Sequence, residues 1–575
     1  MNPHYMNTIQ KTKSGAGKPG VEDFRRSLQN IFNLGIFPYL FFLIIIFIVY
    51  AKSIMFGITE LDDLTLVISQ YEYLKDPYNI IDAFFKSVFN ESADTFYRPL
   101  LTVSWIIDTI IGRGRLWVYH FFDIIYHFTA VCILFNILKN LNISRLKAFA
   151  FASFFAALPI FNQAVSWIPG RNDTLLAVFI FSSFLFLVKY NNSEKFKHIF
   201  ISALFFLAAL FTKETAFAAI IVFPFFFILN ASSAAAADAS PVNAFEDSRR
   251  AEAIRAGRLK IKLISFIMLF AACVLLWYLM KTAFTGTKEM NILYLVVFTK
   301  AALIKLFPAT LQYVAKIFLP VNLKVLPVLS LFDSLLGAAV AAFIVLLLAQ
   351  SKNIKRSNVF FGILWFVMFL VLPYFQNNYF MLEHRTYAAV FGLILIINEI
   401  NLNGKIKTVL PYLIAVYFIF FISVSLINAE KFANKLNFAA AAMIETPLNV
   451  KATFLYGRRS LDNGTFQFGE YFMKKNYEDL SIKAKQRSNV SSSAYLGIFI
   501  WQRGDMKSAK KYLTIAADKD TKVHQVYGAL ADIYIREGRY KEAVFNMKKA
   551  FKMKPENPEY FRYLKFCFEK INNKQ

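Results

Sequence analysis

Residues 34–56 read LGIFPYLFFLIIIFIVYAKSIMF, and this apolar run decides what kind of protein the chain is. Its single charged residue is Lys52. An α-helix of about 20 apolar residues crosses a hydrocarbon core of ~30 Å, and further runs of similar length follow along the chain. The run is too long for the core of a signal peptide, and no small-residue cleavage site follows it, so we expect a retained first membrane span.

The composition also points to lipid as the main solvent. The chain has 575 residues, of which 57% are hydrophobic and 17% aromatic, and its mean hydropathy is +0.45. Soluble domains contain only about 45–50% apolar residues. Its 64 Lys and Arg residues outnumber 38 Asp and Glu residues, but the basic residues gather beside the apolar runs, where the positive-inside rule and anionic headgroups favour them. We therefore expect no nucleic-acid partner.

The apolar runs predict an all-α, polytopic membrane helix bundle of about 11 spans over residues 34–430. Basic residues in the tail 1–33 place it in the cytoplasm, so residues 57–116 form an outer loop and residues 231–258 a cytoplasmic linker. With few cysteines and no organelle signal, we expect a bacterial inner membrane. The predicted spans are 34–56, 117–138, 146–166, 173–190, 197–212, 215–230, 260–281, 326–349, 357–376, 386–400 and 407–428.

Residues 431–575 have a soluble pattern and contain an internal repeat. Leu496, Gly504 and Ala509 recur as Leu530, Gly538 and Ala543, at an offset of 34 residues. This period, with small residues where paired helices pack closely, predicts tetratricopeptide repeats. An odd number of spans places them outside, in the periplasm, where they would bind a protein partner; the alternative is a generic helical hairpin.

Five polar clusters stand beside the spans, and the predicted topology places all of them at the outer membrane surface. Charges at this depth are costly and usually functional. Carboxylates there can activate an acceptor hydroxyl, while Arg, Lys and His can neutralise a phosphate leaving group. The clusters are Glu60-Leu61-Asp62-Asp63, Tyr97-Arg98-Pro99-Leu100, Gly170-Arg171-Asn172-Asp173, Lys213-Glu214 and Glu383-His384-Arg385.

Each cluster also has a structural interpretation. Asp62 and Asp63 are suited to capping an interfacial helix, Arg98 and Arg171 to anchoring at the headgroups, and Lys213-Glu214 to an ion pair in a tight hairpin. His120 and His127 share one side of a helix, where packing is favoured over metal binding because no further His or Cys converges on them.

In this order, the clusters resemble the transmembrane and tetratricopeptide-repeat-containing O-mannosyltransferases and their bacterial relatives, within the GT-C glycosyltransferase fold. The resemblance rests on the Asp pair, Tyr-Arg-Pro-Leu, the His-rich second span, Gly-Arg-x-Asp, Lys-Glu, Glu-His-Arg-x-Tyr and the trailing repeats. This chain departs from the family at Leu158-Pro159, where the family has His-Pro, at Gln163, where an acidic residue is usual, and at Asp123, where Asn is common.

The resemblance implies an inverting glycosyltransferase that takes a sugar from a polyprenyl-phosphate donor. Asp62 or Asp63 would act on the acceptor hydroxyl of a protein or an envelope glycan. The residues expected to bind the donor phosphate or sugar are Arg98, Arg171, Asp173, Lys213, Glu214, Glu383, His384 and Arg385. Side chains can neutralise a monophosphate, so no metal is required, although the acidic pair leaves a divalent ion open.

Two other classes of function remain open. The chain could be a non-enzymatic scaffold that recruits partners through its repeats. It could also transport lipid-linked sugars, but transporters place ionisable groups near the midplane between related halves, and the charged clusters of this chain lie near one surface.

Overall fold

A computed structural model describes residues 35–59, 62–88, 96–237, 245–284, 306–374, 382–401, 406–446, 456, 488–521, 523–554 and 557–572. Within these residues the chain is all-helical, as predicted, and has no strand. In chain order the main helices are α1 Phe37–Tyr50, α2 Pro99–Gly112, α3 Leu116–Asn140, α4 Arg145–Ala157, α5 Arg171–Ser193, α6 Phe196–Leu210, α7 Ala218–Ala237, α8 Phe245–Phe284, α9 306–318, α10 Leu331–Gln350, α11 Arg356–Tyr374, α12 Val390–Asn398, α13 Ile406–Ala429, α14 Lys435–Glu445, α15 Ser488–Gln502, α16 Met506–Asp518, α17 His524–Arg536, α18 Tyr540–Met553 and α19 Pro558–Asn572.

Seven helices of the described residues are long and apolar enough to cross a membrane, and an eighth span results if the bent pair Arg145–Ala157 and Pro159–Val165 is counted as one. Each of the eleven predicted spans coincides with a helix, but three of these helices are short. The predicted spans 197–212, 357–376 and 386–400 correspond to α6, α11 and α12, and the apolar stretch of α11 is Arg356–Val371. The predicted count of about eleven is therefore not confirmed.

Helix α5 lies at the centre of the bundle. The apolar window of its span is 78% buried within the protein, whereas the corresponding windows of α8 and α10 are 17% buried. Buried Phe181 and Phe184 of α5 pack against Trp365 of α11 and Phe391 of α12. Central α5 is therefore fixed by aromatic packing, while α8 and α10 bury little of their apolar surface against the rest of the described protein.

The two ends of the bundle carry different polar contacts. Helix α5 starts at Arg171, near the predicted functional residues, and at its other end Glu194 pairs with Lys262 of α8 at 3.3 Å. Similarly, α12 follows the Glu383 cluster, and beyond its far end the carboxylate of Glu399 accepts a hydrogen bond from the backbone N–H of Lys355. The candidate residues thus gather at one end, and ordinary loop contacts occupy the opposite end.

Between α1 and α2 the described part of the predicted outer loop folds into short helices, Leu64–Ile68, Tyr71–Leu74, Asn79–Asp82 and Ala83–Phe85. Helix α2 has Pro99 in its first turn, where proline is tolerated because the first N–H groups of a helix have no intrahelical partner. Its Leu101, Trp105 and Ile106 are buried in a small core under this loop. This packing fixes the position of Arg98, directly before α2.

The C-terminal helices form two antiparallel pairs, α15 with α16 and α17 with α18, followed by α19. Gly504 and Gly538 end the first helix of each pair with φ of +87° and +73°, values that favour glycine. A Cβ on Gly497 would lie 2.7 Å from Leu513 Cγ, so a small residue is needed where α15 crosses α16. The predicted repeat is therefore present in the geometry as well as in the spacing. In α19, Leu564 is buried and Phe561 is 63% exposed.

Candidate functional site

The structure distinguishes the two aspartates of the first cluster. Asp62 is exposed, whereas Asp63 is buried and aimed into the protein. The Thr59 hydroxyl and the Trp167 indole N–H, the latter at 2.7 Å, both donate to Asp63 Oδ2. Burial raises the pKa of Asp63 from 3.8 to about 6, although both donors favour the carboxylate and partly oppose the rise. Of the two candidates, only Asp63 is built into the interior.

Trp167 connects Asp63 to His384. The two rings are tilted by 44° relative to each other, with centroids 5.7 Å apart. On its other side, His384 Nδ1 lies 3.2 Å from Gln163 Oε1, which also accepts the backbone N–H groups of Glu383 and His384. The side chain of Gln163 thus fixes the backbone and the imidazole ring of the fifth cluster, Glu383-His384-Arg385, together. Burial, with added repulsion from Lys213, Arg385 and Arg98, lowers the pKa of His384 well below 6.5 and keeps the imidazole neutral at neutral pH.

Asp173 joins His384 to the Lys213 hairpin. Its Oδ2 atom lies 2.6 Å from Lys213 Nζ and 3.6 Å from His384 Nε2. Lys213 also donates to Asn172 Oδ1 at 2.8 Å. Because burial disfavours the ammonium more than Asp173 supports it, the pKa of Lys213 falls to about 8. A lysine with this pKa is protonated at neutral pH and donates hydrogen bonds. A further anion beside it would stabilise the charged form.

The edge of this network contains a second ion pair. Arg98 donates to Glu214 Oε2 through Nε at 3.1 Å and through Nη2 at 2.8 Å. The side chains of Arg98 and Glu214 are 12% and 24% exposed, so they form the more accessible side of the site. Arg98 and the buried Arg385 both attract the Asp173 carboxylate electrostatically. The structure therefore brings together Arg98, Asp173, Lys213, Glu214, His384 and Arg385.

Arg171 belongs to a different, sealed cluster. Its Nη1 and Nε atoms lie 2.5 Å from Asp108 Oδ2 and 2.5 Å from Asp123 Oδ1, and all three side chains are 0% exposed. Arg171 also donates to the Tyr119 carbonyl at 2.8 Å. The sequence predicts that Arg171 binds the donor phosphate or sugar. In the structure its guanidinium pairs with two carboxylates inside the bundle. Two residues along a helix correspond to about 200°, so Arg171 and Asp173 point to opposite sides of α5.

Glu383 connects the site to α9 and to the segment that follows it. Its Oε1 atom lies 2.5 Å from Lys316 Nζ and accepts the backbone N–H of Lys324 at 2.9 Å. Both charged side chains are almost fully enclosed, at 1% and 2% exposure for Lys316 and Glu383. This carboxylate therefore holds two segments together, and its partner Lys316 was not among the residues selected from the sequence.

The two histidines of the second span make structural contacts. His127 lies between Tyr387 Oη, 2.5 Å from Nδ1, and the Ala156 carbonyl, 3.1 Å from Nε2. His120 Nε2 lies 3.3 Å from the Gly57 carbonyl. Among the described residues, no group of three or more His, Cys, Asp or Glu side chains is arranged to hold a metal ion.

Sequence reasoning missed Trp167 and treated Gln163 only as a departure from a family pattern. The absence of a side chain at Gly170 permits the local path of the backbone. A Cβ at this position would lie 2.2 Å from the Gln163 carbonyl oxygen and would clash with it. The backbone of Gly170 can therefore fold against residues 163–164, which places Trp167 between Asp63 and His384. A signal was available, since Trp167 comes three residues before the Gly-Arg motif.

Comparison with known proteins identifies the C-terminal repeat independently of its geometry. A tetratricopeptide-repeat family profile matches residues 524–557, which include α17 and α18. Residues 524–557 are a tetratricopeptide repeat. In addition, 126 residues of the chain are 26% identical to the protein O-mannosyl-transferase Tmtc1 of Drosophila melanogaster. This match covers 22% of the chain and 15% of the relative, so the chain aligns with a small part of that protein.

Proposed function

We propose that this chain is an inverting glycosyltransferase of the GT-C type that transfers a sugar from a polyprenyl-phosphate donor to a hydroxyl acceptor. The observation that carries the proposal is the continuous contact from the buried Asp63 carboxylate, through Trp167 and His384, to the cations around Asp173. One carboxylate of raised pKa and a set of cations are what a displacement at a sugar phosphate requires. The similarity to an O-mannosyl-transferase supports the same class of reaction.

Asp63 is the proposed base. It accepts the proton of the acceptor hydroxyl as the acceptor oxygen bonds to the anomeric carbon. The bond from that carbon to the phosphate oxygen breaks, and polyprenyl phosphate leaves with the electron pair. The attack and the departure occur on opposite faces of the carbon, so the configuration inverts. A carboxylate whose pKa of about 6 lies near the working pH combines the ionised form with useful basicity.

The cations neutralise the departing phosphate. Arg385 and Lys213 already lie near the Asp173 carboxylate, and Arg98 lies at the accessible edge. Arg385 is the first candidate for a direct phosphate contact, because a guanidinium offers two parallel donors to a phosphate. Glu214 and Asp173 orient Arg98 and Lys213 through the ion pairs described above. Arg171 and Glu383 lie in buried ion pairs and hold the helices in position.

The location of the site follows from the topology predicted from the basic loops. We propose that the site faces the outer side of a bacterial inner membrane, with the N-terminus in the cytoplasm and the repeats in the periplasm. The acceptor is then a protein Ser or Thr or an envelope glycan. The tetratricopeptide repeat would bind a protein partner or the acceptor protein, because such repeats form extended peptide-binding surfaces.

Sugar transfer by the full-length protein tests the proposal. The chain is reconstituted in proteoliposomes with polyprenyl-phosphate mannose, or the glucose or N-acetylglucosamine equivalent, and a peptide or glycan acceptor. We expect transfer of label from one donor, with an inverted anomeric configuration in the product. Retention of configuration would contradict the mechanism. Absence of transfer from every donor, with pull-down of a partner through the repeats, would favour the scaffold function instead.

A further inference from the structure

An apolar groove lies between α7 and α8, outside the polar site. Its volume is about 480 Å³, and it is lined by Ile220 and Pro224 of α7 and by α8 from Phe266 to Tyr278. Phe266, Phe270, Val274 and Tyr278 recur every fourth residue and therefore form one continuous stripe on α8. From Phe266 to Tyr278 the helix advances by twelve steps, about 18 Å at ~1.5 Å per residue, so the groove is elongated along α8.

The groove has a packed floor and a side that opens to lipid. Phe266 and Phe270 are 2% and 1% exposed, and Phe270 stacks on Phe206 of α6 with ring centroids 4.5 Å apart. In contrast, Ile267 and Leu275 of the same lining are 59% and 58% exposed. A hydrocarbon chain can therefore enter sideways from the bilayer and rest on a preformed aromatic surface.

One end of the groove meets the edge of the candidate site. One turn beyond Tyr278, the ammonium of Lys281 lies 5.0 Å from the centre of the Trp277 ring, and Trp277 packs edge-to-face on Phe217 at 5.0 Å. Phe217 shares a single short helix with Glu214, the partner of Arg98. Lys281 also attracts the Glu214 carboxylate electrostatically.

We propose that the isoprenoid chain of the sugar donor lies in this groove and that Lys281 contacts the donor phosphate. This inference rests on the proposed function and adds the binding path of the lipid. An isoprenoid phosphate has one hydrocarbon chain and one anionic end. The groove offers one apolar channel and ends beside Lys281 and Arg98, so its shape and charge complement that ligand along its length.

A substitution that blocks the groove tests the binding of the isoprenoid chain separately from the transfer reaction. Ala271 lines the groove, and Ala271→Trp fills it with a large ring while leaving every charged residue in place. We expect the variant to lose about tenfold or more in kcat/KM with a long-chain donor and to remain close to wild type with a donor of two isoprene units, because the short chain buries little apolar surface. An equal loss with both donors, or no loss with either, would overturn the assignment.

Val345→Trp is the matched control, because Val345 is 62% exposed on α10 and lies outside the groove lining. It should leave transfer from both donors unchanged. Lys281→Gln should lower kcat/KM for both donors to the same extent, since each donor carries the phosphate. Lys281→Arg should restore kcat/KM for both. If Lys281→Gln affects neither donor, Lys281 has no phosphate contact.

A binding measurement separates the failure of this inference from the failure of the proposed function. Polyprenyl phosphate without a sugar, carrying a diazirine on its chain, is photo-crosslinked to the full-length protein in nanodiscs. We expect label on α7 and α8 of wild type and loss of label in Ala271→Trp. Labelling without sugar transfer would contradict the proposed function alone. Transfer with labelling elsewhere, or loss of label when excess phosphatidylglycerol competes, would overturn the groove assignment.

Discussion

Two charged clusters of this protein start from the same few residues of α5 and end in different environments. Asp173 belongs to a network with His384 and Lys213 that reaches the accessible Arg98–Glu214 edge. Arg171, two residues earlier, is enclosed by Asp108 and Asp123 with no exposed side-chain surface. A single Gly-Arg-Asn-Asp motif therefore serves two tasks, one at the site and one inside the bundle.

The two clusters differ in their balance of charge and in their access to solvent. The sealed cluster has one guanidinium between two carboxylates, and Asp108 Oδ1 and Asp123 Oδ2 accept no hydrogen bond from the described residues. A further ligand cannot reach it from solvent, so the cluster is suited to fixing α2, α3 and α5 to one another. The network around Asp173 gathers three cations, Arg98, Lys213 and Arg385, with two carboxylates, Asp173 and Glu214, and this excess of positive charge favours the arrival of another anion.

The largest effect should come from Asp63→Asn, which keeps the shape of the side chain and removes the base. We expect sugar transfer to fall by about 10³-fold or more, toward the upper range found for loss of a general base. Transfer from a polyprenyl-phosphate donor in proteoliposomes measures it, with a size-exclusion profile to show that the variant is folded.

Asp62→Asn is the matched control for this change, because the Asp62 carboxylate is adjacent in sequence but exposed. It should stay within about threefold of wild type, the scale of a small change in surface charge. Transfer that depends equally on both aspartates would mean that the difference in burial does not separate their roles.

The next effect concerns stability. Arg171→Met leaves two carboxylates buried without a cation, and breaking such a buried arrangement costs about 3–5 kcal/mol. We expect a marked fall in the thermal unfolding midpoint in detergent, whereas Arg98→Met, at the partly exposed edge, should change donor KM with a smaller thermal shift. Adding Asp123→Asn to Arg171→Met should recover part of the loss. An unchanged midpoint in Arg171→Met would show that the sealed cluster does not hold the bundle together.

Much of this organisation could be predicted from the sequence because its signals are local. Apolar runs mark the helices, and a 34-residue period marks the repeat that the family profile also finds. Helix length was harder to predict, since apolar residues continue into loops that pack inside the protein. Residues 386–400 illustrate this, because Glu383–Thr386 forms a separate short helix and α12 begins only at Val390.

The partners of each charge could not be predicted, because they depend on helix phase and on contacts distant in sequence. Arg171 and Asp173 share a motif, but their directions differ by the rotation of the helix. Asp63 and Trp167 are 104 positions apart, and Lys316 and Glu383 are 67 apart. A motif therefore identifies which residues are unusual for a membrane protein, while the packing decides which of them meet.

The pH dependence of transfer should report the ionisation of Asp63. Burial raises its pKa to about 6, and the ionised form is the base, so the rate should fall as the pH decreases through that value and level off above it, until Lys213 begins to lose its proton near its pKa of about 8. Below the pKa, each decrease of one pH unit should reduce the rate about tenfold, as for any reaction that requires one deprotonated group. The initial rate between pH 5 and 8, with donor saturating, measures this. A rate that stays constant down to pH 5 would exclude Asp63 as the group that titrates.

The smallest effect should come from Trp167→Phe, which keeps an aromatic ring against His384 and removes the N–H that Asp63 accepts. Loss of a hydrogen bond to the ionised form raises the pKa of Asp63, by about one unit if the bond contributes ~1.4 kcal/mol. We therefore expect the inflection to move from about pH 6 toward higher pH, with little loss of rate at pH 8. A role in packing alone would lower the rate by the same factor at every pH. The position of the inflection thus decides whether Trp167 supports the network through its hydrogen bond or only through its shape.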